Sequence, residues 1–374
     1  MLEINHQALM AQALTLAEKS LWLTSPNPRV GCVITDVSGR ILGQGHTQKA
    51  GGPHAEIMAL RDAESQGHSV VGATAYVTLE PCSHFGRTGP CCDALVTAGI
   101  KKVVASLPDP NPKVAGQGFE RLQAAGIEVL VGEGAEQSRE LNIGFFSRMI
   151  RRAPWVRLKV AASLDGKTAL NNGVSQWITS AEARTDGHAW RARACAVLTG
   201  IGTVREDNPR LDVRLVETTR QPHLVVVDSR LETPLDAHLF IAGRATYIYA
   251  AVENDEKKDA LEAQGATVIY TPGKTPETKN KVDLSAMMQD LGAREINELH
   301  VEAGEKLNGS LIREGLVDEF LVYLAPKLIG QGAGMAHFGP LEDLAHAVPL
   351  TFISTEKLGP DLRIVARVQG ADSF

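Results

Sequence analysis

A chain of 374 residues with 44% hydrophobic content has enough apolar side chain for about two to three packed domains. Its 38 Lys and Arg against 44 Asp and Glu leave a net charge of −6, which argues against a general nucleic-acid-binding surface but leaves small anionic substrates open. Five cysteines, an odd number with three grouped around one motif, point to a reducing compartment and metal chemistry. With no membrane-length apolar segment and no basic, apolar leader at the N-terminus, a cytoplasmic protein is expected.

Short apolar runs alternate with helical patterns along the chain, the signature of α/β layers. Leu9, Ala13 and Leu16 recur at helical spacing. Residues 31–35 and 41–45 predict a hairpin and 53–63 a helix. Ala75, Val77 and Leu79 form one face of a strand that ends at Pro81-Cys82. Strands at 102–106 and 127–131 follow, with a helix at 118–125 between them and a single helix at 136–151 after them. Near Arg151-Arg152-Ala153-Pro154 the helical pattern gives way to proline and a new strand at 155–161, which sets the domains at 1–152 and 153–374. Later strands are expected at 196–199, 223–228, 246–250, 267–270, 298–302 and 320–328. The stretch 271–281, rich in Pro, Lys and Thr, reads as a solvated loop.

The chemistry concentrates in His54-Ala55-Glu56, Pro81-Cys82 and Cys91. One imidazole and two thiolates supply three tetrahedral ligands for a single Zn2+, and a hydrolytic zinc leaves its fourth position for water. Glu56, two residues after His54 at the start of a helix, suits a general acid/base that carries a proton to a leaving amine. All three ligands fall at element ends, where helix N-termini favour thiolates and anions. Zinc base deaminases combine these parts in this order. A structural zinc site would more often close all four positions with paired cysteines, and here the fourth residue is an acid. Cys92 adjoins Cys91 on a first helical turn and faces another way, so Cys91 is taken as the ligand and Cys92 as packing.

Longer motifs in both halves give the chain a family resemblance. In the first half they are Pro26-Asn27-Pro28-Arg29-Val30-Gly31-Cys32, Pro53-His54-Ala55-Glu56, the run from Thr78-Leu79-Glu80-Pro81-Cys82 to Thr88, and Asp109-Pro110-Asn111-Pro112-Lys113-Val114-Ala115-Gly116. In the second half they are Lys159 with Ser163-Leu164-Asp165-Gly166-Lys167, Ser175-Gln176-Trp177-Ile178-Thr179, Thr203-Val204-Arg205-Glu206-Asp207 and Val301-Glu302-Ala303-Gly304. The chain resembles the bifunctional deaminase/reductase family of riboflavin biosynthesis. The resemblance implies a cytidine-deaminase-like α/β/α layered domain followed by a dihydrofolate-reductase-like α/β domain. It implies zinc-dependent hydrolysis of the 2-amino group of 2,5-diamino-6-(5-phosphoribosylamino)pyrimidin-4-one. NADPH-dependent reduction of 5-amino-6-(5-phosphoribosylamino)uracil to its ribityl product would follow.

By the same resemblance Asn27, His84 and Arg87 contact the pyrimidine substrate, although Pro-Asn-Pro is also a turn former. Ala161, Trp177, Thr203, Asp207 and Ser229 line the NADPH groove. The backbone amides of Gly304, Glu305, Lys306, Leu307, Asn308, Gly309 and Ser310, at a helix start, hold its pyrophosphate. Ser175, Arg191, Leu211, Arg214 and Glu302 contact the reductase substrate, the arginines suiting a phosphate. Lys159 and Glu302 are the charged candidates for the reduction, with Lys159 taken as catalytic and Asp165 left as a turn residue. Four positions depart from the family pattern: Thr47, where a histidine is common and His46 stands one residue earlier, and Gly89, Asn208 and Ala303. The expected partners are small phosphoribosyl pyrimidines, with neither nucleic acid nor membrane; a homo-oligomer is left open. A nucleic-acid base deaminase would share the zinc motif but leave more than half the chain unexplained, and aromatics are only 5%. A binding module with structural zinc and no chemistry is the non-enzyme alternative.

Overall fold

The computed structural model describes residues 5–83, 89–112 and 114–374, and the backbone divides into two compact units, Met1–Arg151 and Arg152–Phe374. The first unit runs α1 (His6–Glu18), β1 (Gly31–Thr35), β2 (Ile41–His46), α2 (Ala55–Ser65), β3 (Thr74–Val77), α3 (Cys91–Thr97) and β4 (Lys102–Ala105). It continues with α4 (Gln117–Ala124), β5 (Glu128–Val131), α5 (Ala135–Leu141) and α6 (Ile143–Arg151). Its sheet has the order β2-β1-β3-β4-β5, antiparallel around β1 and parallel from β3 to β5. Every residue of β1 is buried, because Val33 packs into a cluster with Leu9, Met10 and Ala13 of α1 while the opposite face meets α2. β2 packs on the same helix, and Gly45 lets it come close: a Cβ there would sit 2.5 Å from the Ala59 backbone nitrogen. That approach seats the N-terminal end of α2, with His54 as its N-cap and Glu56 in its first turn.

The sequence predicts one helix over 136–151, but α5 ends at Leu141 and α6 begins at Ile143. Asn142 stands at the break, its Oδ1 accepting the Arg29 N–H (2.7 Å) and its Nδ2 donating to the Arg29 carbonyl (2.9 Å). A short amide side chain that bonds a distant backbone competes with the helical ladder around it.

The second unit contains β6 (Trp155–Ser163), β7 (Lys167–Leu170), α7 (Ala181–Arg193), β8 (Ala196–Gly200), α8 (Ile201–Asp207), β9 (His223–Val227) and β10 (Thr246–Ala250). Then come α9 (Asp255–Ala263), β11 (Ala266–Tyr270), α10 (Leu284–Ala293), β12 (Glu298–Val301), α11 (Glu305–Arg313), β13 (Glu319–Ala325), β14 (Gly332–Gly334), β15 (Leu350–Leu358) and β16 (Asp361–Val368). Nine strands form one sheet in the order β11-β10-β9-β8-β12-β6-β13-β16-β15, parallel up to β13 and closed by an antiparallel hairpin; β7 and β14 pair separately. The strand expected over 320–328 stops at Ala325. The β15–β16 hairpin was not anticipated, since β15 is exposed along most of its length and shows no apolar alternation.

Strand period divides the centre of this sheet into two unlike faces. Val156, Leu158 and Val160 of β6 join Leu299 and Val301 in the apolar core. The intervening residues are charged. Arg157 is buried between Glu319 (2.5 Å) and Glu298 (3.0 Å), with its guanidinium 4.4 Å from the Trp190 ring centroid. Arg193 on Glu298 and Arg367 on Glu319 complete the array. Buried charges of this kind persist only when every member is paired. Among the described residues, no helix is long and apolar enough to cross a membrane.

Candidate functional site

In the first unit, the ligand atoms of His54, Cys82 and Cys91 lie within 4.8 Å of one another. His54 Nδ1 is 3.6 Å from Cys82 Sγ and 3.3 Å from Cys91 Sγ. Ordinary zinc–sulfur and zinc–nitrogen bond lengths give a tetrahedral sulfur–nitrogen edge of about 3.6 Å, so donor set and spacing both fit Zn2+. Hydrogen bonding with Cys91 is the leading influence that lowers the Cys82 thiol, to about 4, and His54 adds to it against the opposing effect of burial. Cys92 faces elsewhere, with its Sγ 3.1 Å from the Pro81 carbonyl; burial pushes its thiol up to about 12.

Glu56 is 4% exposed. Burial raises its carboxyl to about 7, and the negative charge of Cys82 adds to the rise. A dication among the three ligands acts in the opposite direction. A buried carboxyl beside the ligand cluster is placed to accept a proton and pass it on. Asn27 lies in a half-buried turn, with its N–H donated to the Thr24 carbonyl at 2.8 Å. His84 and Arg87 lie outside the described residues. Thr47 is buried, and its hydroxyl reaches the Val30 carbonyl at 3.4 Å; His46 Nδ1 stands 3.1 Å from Ser20 Oγ.

In the second unit, Lys159, Arg191 and Glu302 come together from β6, α7 and the end of β12. Glu302 accepts two hydrogen bonds from the Arg191 guanidinium, through Nε and Nη2, and lies 3.5 Å from Lys159 Nζ. Burial would raise this carboxyl, but the charges of Arg191 and then Lys159 hold it well below the usual range. Glu319 is lowered in the same way, Arg157 outweighing burial. Both folded values lie below the unfolded ones, so these groups contribute stability above about pH 4.3, the unfolded glutamate value, and lose it as pH falls from there. Urea unfolding followed by tryptophan fluorescence, with Trp155, Trp177 and Trp190 all in this unit, is expected to show the midpoint dropping below about pH 4.5. A midpoint unchanged from pH 6 to pH 3 would contradict the pairing.

The remaining expected residues gather less uniformly. A Cβ built on Gly304 would lie 3.9 Å from Thr203 Oγ1, and one on Gly200 would lie 3.1 Å from Leu307, so the ends of β8 and β12 adjoin at the start of α11. This is the carboxyl end of parallel strands, where open α/β sheets bind ligands. The run of amides expected to hold the pyrophosphate is shorter here: the Asn308 N–H is already donated to the Gly304 carbonyl (3.1 Å), and Gly309 and Ser310 lie deeper in α11. Only the amides of Gly304 through Leu307 are left free by the helical ladder. Trp177 is 62% exposed and stacks on Arg184 at 4.4 Å. Ser229 follows the end of β9, and its Oγ accepts the Val282 N–H at 3.4 Å. Asp207 ends α8, its carboxyl raised by burial. Ala161 follows Lys159 on the same face of β6, and Ser175 is half-buried. Leu211 is buried, its carbonyl taken by Arg244 at 2.7 Å, and Arg214 donates to Asp212 at 2.5 Å.

Sequence reasoning passed over two residues of this neighbourhood. Asp212 holds Arg210 and Arg214 on its two oxygens, while its carbonyl accepts from Arg191 at 3.0 Å. His300 is fully buried, with Nε2 3.4 Å from Glu302 Oε1. That approach misses hydrogen-bond geometry, so it counts as a polar contact alone. The Arg-x-Asp-x-Arg spacing and the Glu298-x-His300-x-Glu302 alternation were the available signals.

Residues 3–107 match the cytidine and deoxycytidylate deaminase zinc-binding region, and residues 154–364 match the RibD C-terminal domain. The chain is 44% identical to the riboflavin biosynthesis protein RibD of Escherichia coli over 94% of its own length and 96% of that protein. It is 42% identical to that of Aquifex aeolicus, covering 95% and 96%. Among solved structures it is similar to Acinetobacter baumannii RibD, with 40% identity, a TM-score of 0.86, and 97% of this chain and 99% of that one covered. A diaminohydroxyphosphoribosylaminopyrimidine deaminase/5-amino-6-(5-phosphoribosylamino)uracil reductase from Thermotoga maritima aligns with a TM-score of 0.83 at 31% identity, over 97% and 98% of the two chains. With a zinc-binding deaminase region, a reductase domain and this likeness over nearly the whole length, the chain belongs to the RibD family of bifunctional riboflavin-biosynthesis deaminase/reductases.

Proposed function

We propose that this protein catalyses two successive steps in the cytoplasm: hydrolytic deamination of 2,5-diamino-6-(5-phosphoribosylamino)pyrimidin-4-one, then NADPH-dependent reduction of 5-amino-6-(5-phosphoribosylamino)uracil to its ribityl product. The observation that carries the first step is one imidazole and two sulfurs at zinc-binding distances with a buried carboxyl beside them. His54, Cys82 and Cys91 would hold Zn2+, which would supply Lewis-acid activation of water. Glu56 takes the proton from the attacking water and delivers it to the departing amine. Water and the ring C–NH2 thereby become a ring carbonyl and ammonia. Asn27, His84 and Arg87 are the substrate contacts.

For the second step bound NADPH would supply the hydride that C1 of the ribosyl group gains, and the chain must provide the proton that the ring oxygen takes up as it leaves C1. Lys159 is the proton source, held by Glu302 at 3.5 Å. Arg191 and Arg214, with Ser175, Leu211 and Glu302, orient the phosphoribosyl arm. Ala161, Trp177, Thr203, Asp207, Ser229 and the free amides at Gly304–Leu307 seat the cofactor. Purified protein is expected to carry one Zn2+ per chain. Exchanging His54 for alanine should remove the metal and ammonia release together, yet leave reduction of a supplied deaminated substrate intact. Metal analysis and the two assays test this; ammonia release that survives full loss of Zn2+ would refute it.

A further inference from the structure

The turn that carries Cys82 and the helix that carries Cys91 both reach the same residue, Gly118 of α4. Glu80, two residues before Cys82, is buried, and its carboxylate accepts four main-chain N–H groups. Asp109 (3.0 Å) and Gly116 (3.0 Å) donate to Oε2, Gly118 (2.8 Å) and Phe119 (3.3 Å) to Oε1. From the other side, Cys92 Sγ lies 3.5 Å from the Gly118 carbonyl and 3.1 Å from the Pro81 carbonyl, so its single S–H can donate to either. Glu80 thus holds the Gly118 N–H from the Cys82 side, and Cys92, from the Cys91 side, reaches the Gly118 carbonyl as the longer of its two contacts. There is no room for a side chain: a Cβ would overlap the Pro81 carbonyl and stand 2.9 Å from Glu80 Oε1. The two ligand segments also touch directly, the Cys91 N–H donating to Cys82 Sγ at 3.3 Å and the Cys92 N–H to the Cys82 carbonyl at 3.2 Å.

Neither Glu80 nor Cys92 belongs to the three-ligand cluster. We infer that Gly118, contacted by both Glu80 and Cys92, is the strut that sets the separation of the Cys82 and Cys91 sulfurs, and through it the affinity for Zn2+. The inference rests on His54, Cys82 and Cys91 being the zinc ligands. Glu80 and Cys92 then act as positioning residues, a role whose loss commonly costs about 10- to 100-fold in metal affinity.

Two substitutions at Cys92 separate this role from plain packing. Serine keeps an O–H that can donate to the same carbonyls; alanine removes both the sulfur and the donor. If Cys92 only packs, neither change touches a ligand atom and the two variants should bind Zn2+ alike. If it holds the strut, serine is milder.

Full-length parent, Cys92→Ser, Cys92→Ala and Gly118→Ala chains would be stripped of metal and titrated with Zn2+ against a chromophoric chelator. Co2+ substitution would report ligand geometry through its visible bands. Cys92→Ala is expected to weaken Zn2+ binding by about 10- to 100-fold and to shift the Co2+ bands. Gly118→Ala should do the same where it folds, while Cys92→Ser stays close to the parent. Any other order at position 92, equal affinities included, overturns the inference. A parent that takes up no Zn2+, or a His54→Ala chain that binds it as tightly as the parent, would instead sink the ligand assignment beneath it.

Discussion

Replacing Glu56 with glutamine is expected to slow ammonia release by about 10²- to 10⁴-fold, the usual contribution of a positioned general acid/base. The amide has nearly the volume of the carboxyl, so the buried pocket should keep its shape. It cannot take a proton from water or hand one to a leaving amine. Because Glu56 is not among the three ligands, metal content should hold at one Zn2+ per chain, which separates this variant from His54→Ala. Reduction of the deaminated intermediate should be unchanged. The measurement is a pair of assays on one preparation, ammonia release and NADPH consumption, with metal analysis beside them. Deamination within a few-fold of the parent would rule Glu56 out as the proton carrier.

A loss of comparable size is expected on the reductase side from Glu302→Gln. The carboxylate is the shared counter-charge of Lys159 and Arg191, and its side chain is only 12% exposed. Neutralising it leaves two half-buried cations facing each other. Breaking a fully buried pair costs about 3–5 kcal/mol, and partial exposure here lowers that figure. Part of that cost should appear as stability and part as misplacement of Lys159, for which a shift of about 1 Å can cost roughly 100-fold in rate. NADPH oxidation is therefore expected to fall by about two to three orders of magnitude, with a lower urea midpoint for the tryptophan signal. Ammonia release should be untouched. A Glu302→Gln chain with parental reductase kinetics would show that the ion trio only stabilises the fold.

The two sites differ in how much of each was legible in the chain. His54, Glu56, Cys82 and Cys91 stand in compact motifs, and few side chains can serve as thiolate, imidazole and proton carrier, so residue type alone announces the chemistry. Their elements were readable too, because buried strands such as Gly31–Thr35 are short apolar runs. The break at Asn142 was not readable, since its cause is the backbone of Arg29, far away in sequence. Glu80 escaped for a similar reason: it stands in a recognised motif, but the amides it collects belong to the segment around Gly118.

The amino-acid sequence alone established which donors are available: an imidazole and two sulfurs that the fold brings together, a carboxyl beside them, and a second, differently built domain that follows. Only the tertiary structure decided which charges face one another. Lys159, Arg191 and Glu302 come from separate elements, and nothing local to any of them specifies the other two. Parallel strand register sets that pairing, because β6 and β12 run side by side with their odd-numbered and even-numbered residues on a common face. That register also sets Arg157 beside Glu298, the register of β6 with β13 sets it beside Glu319, and the two-residue period of one strand puts His300 and Glu302 on a common face.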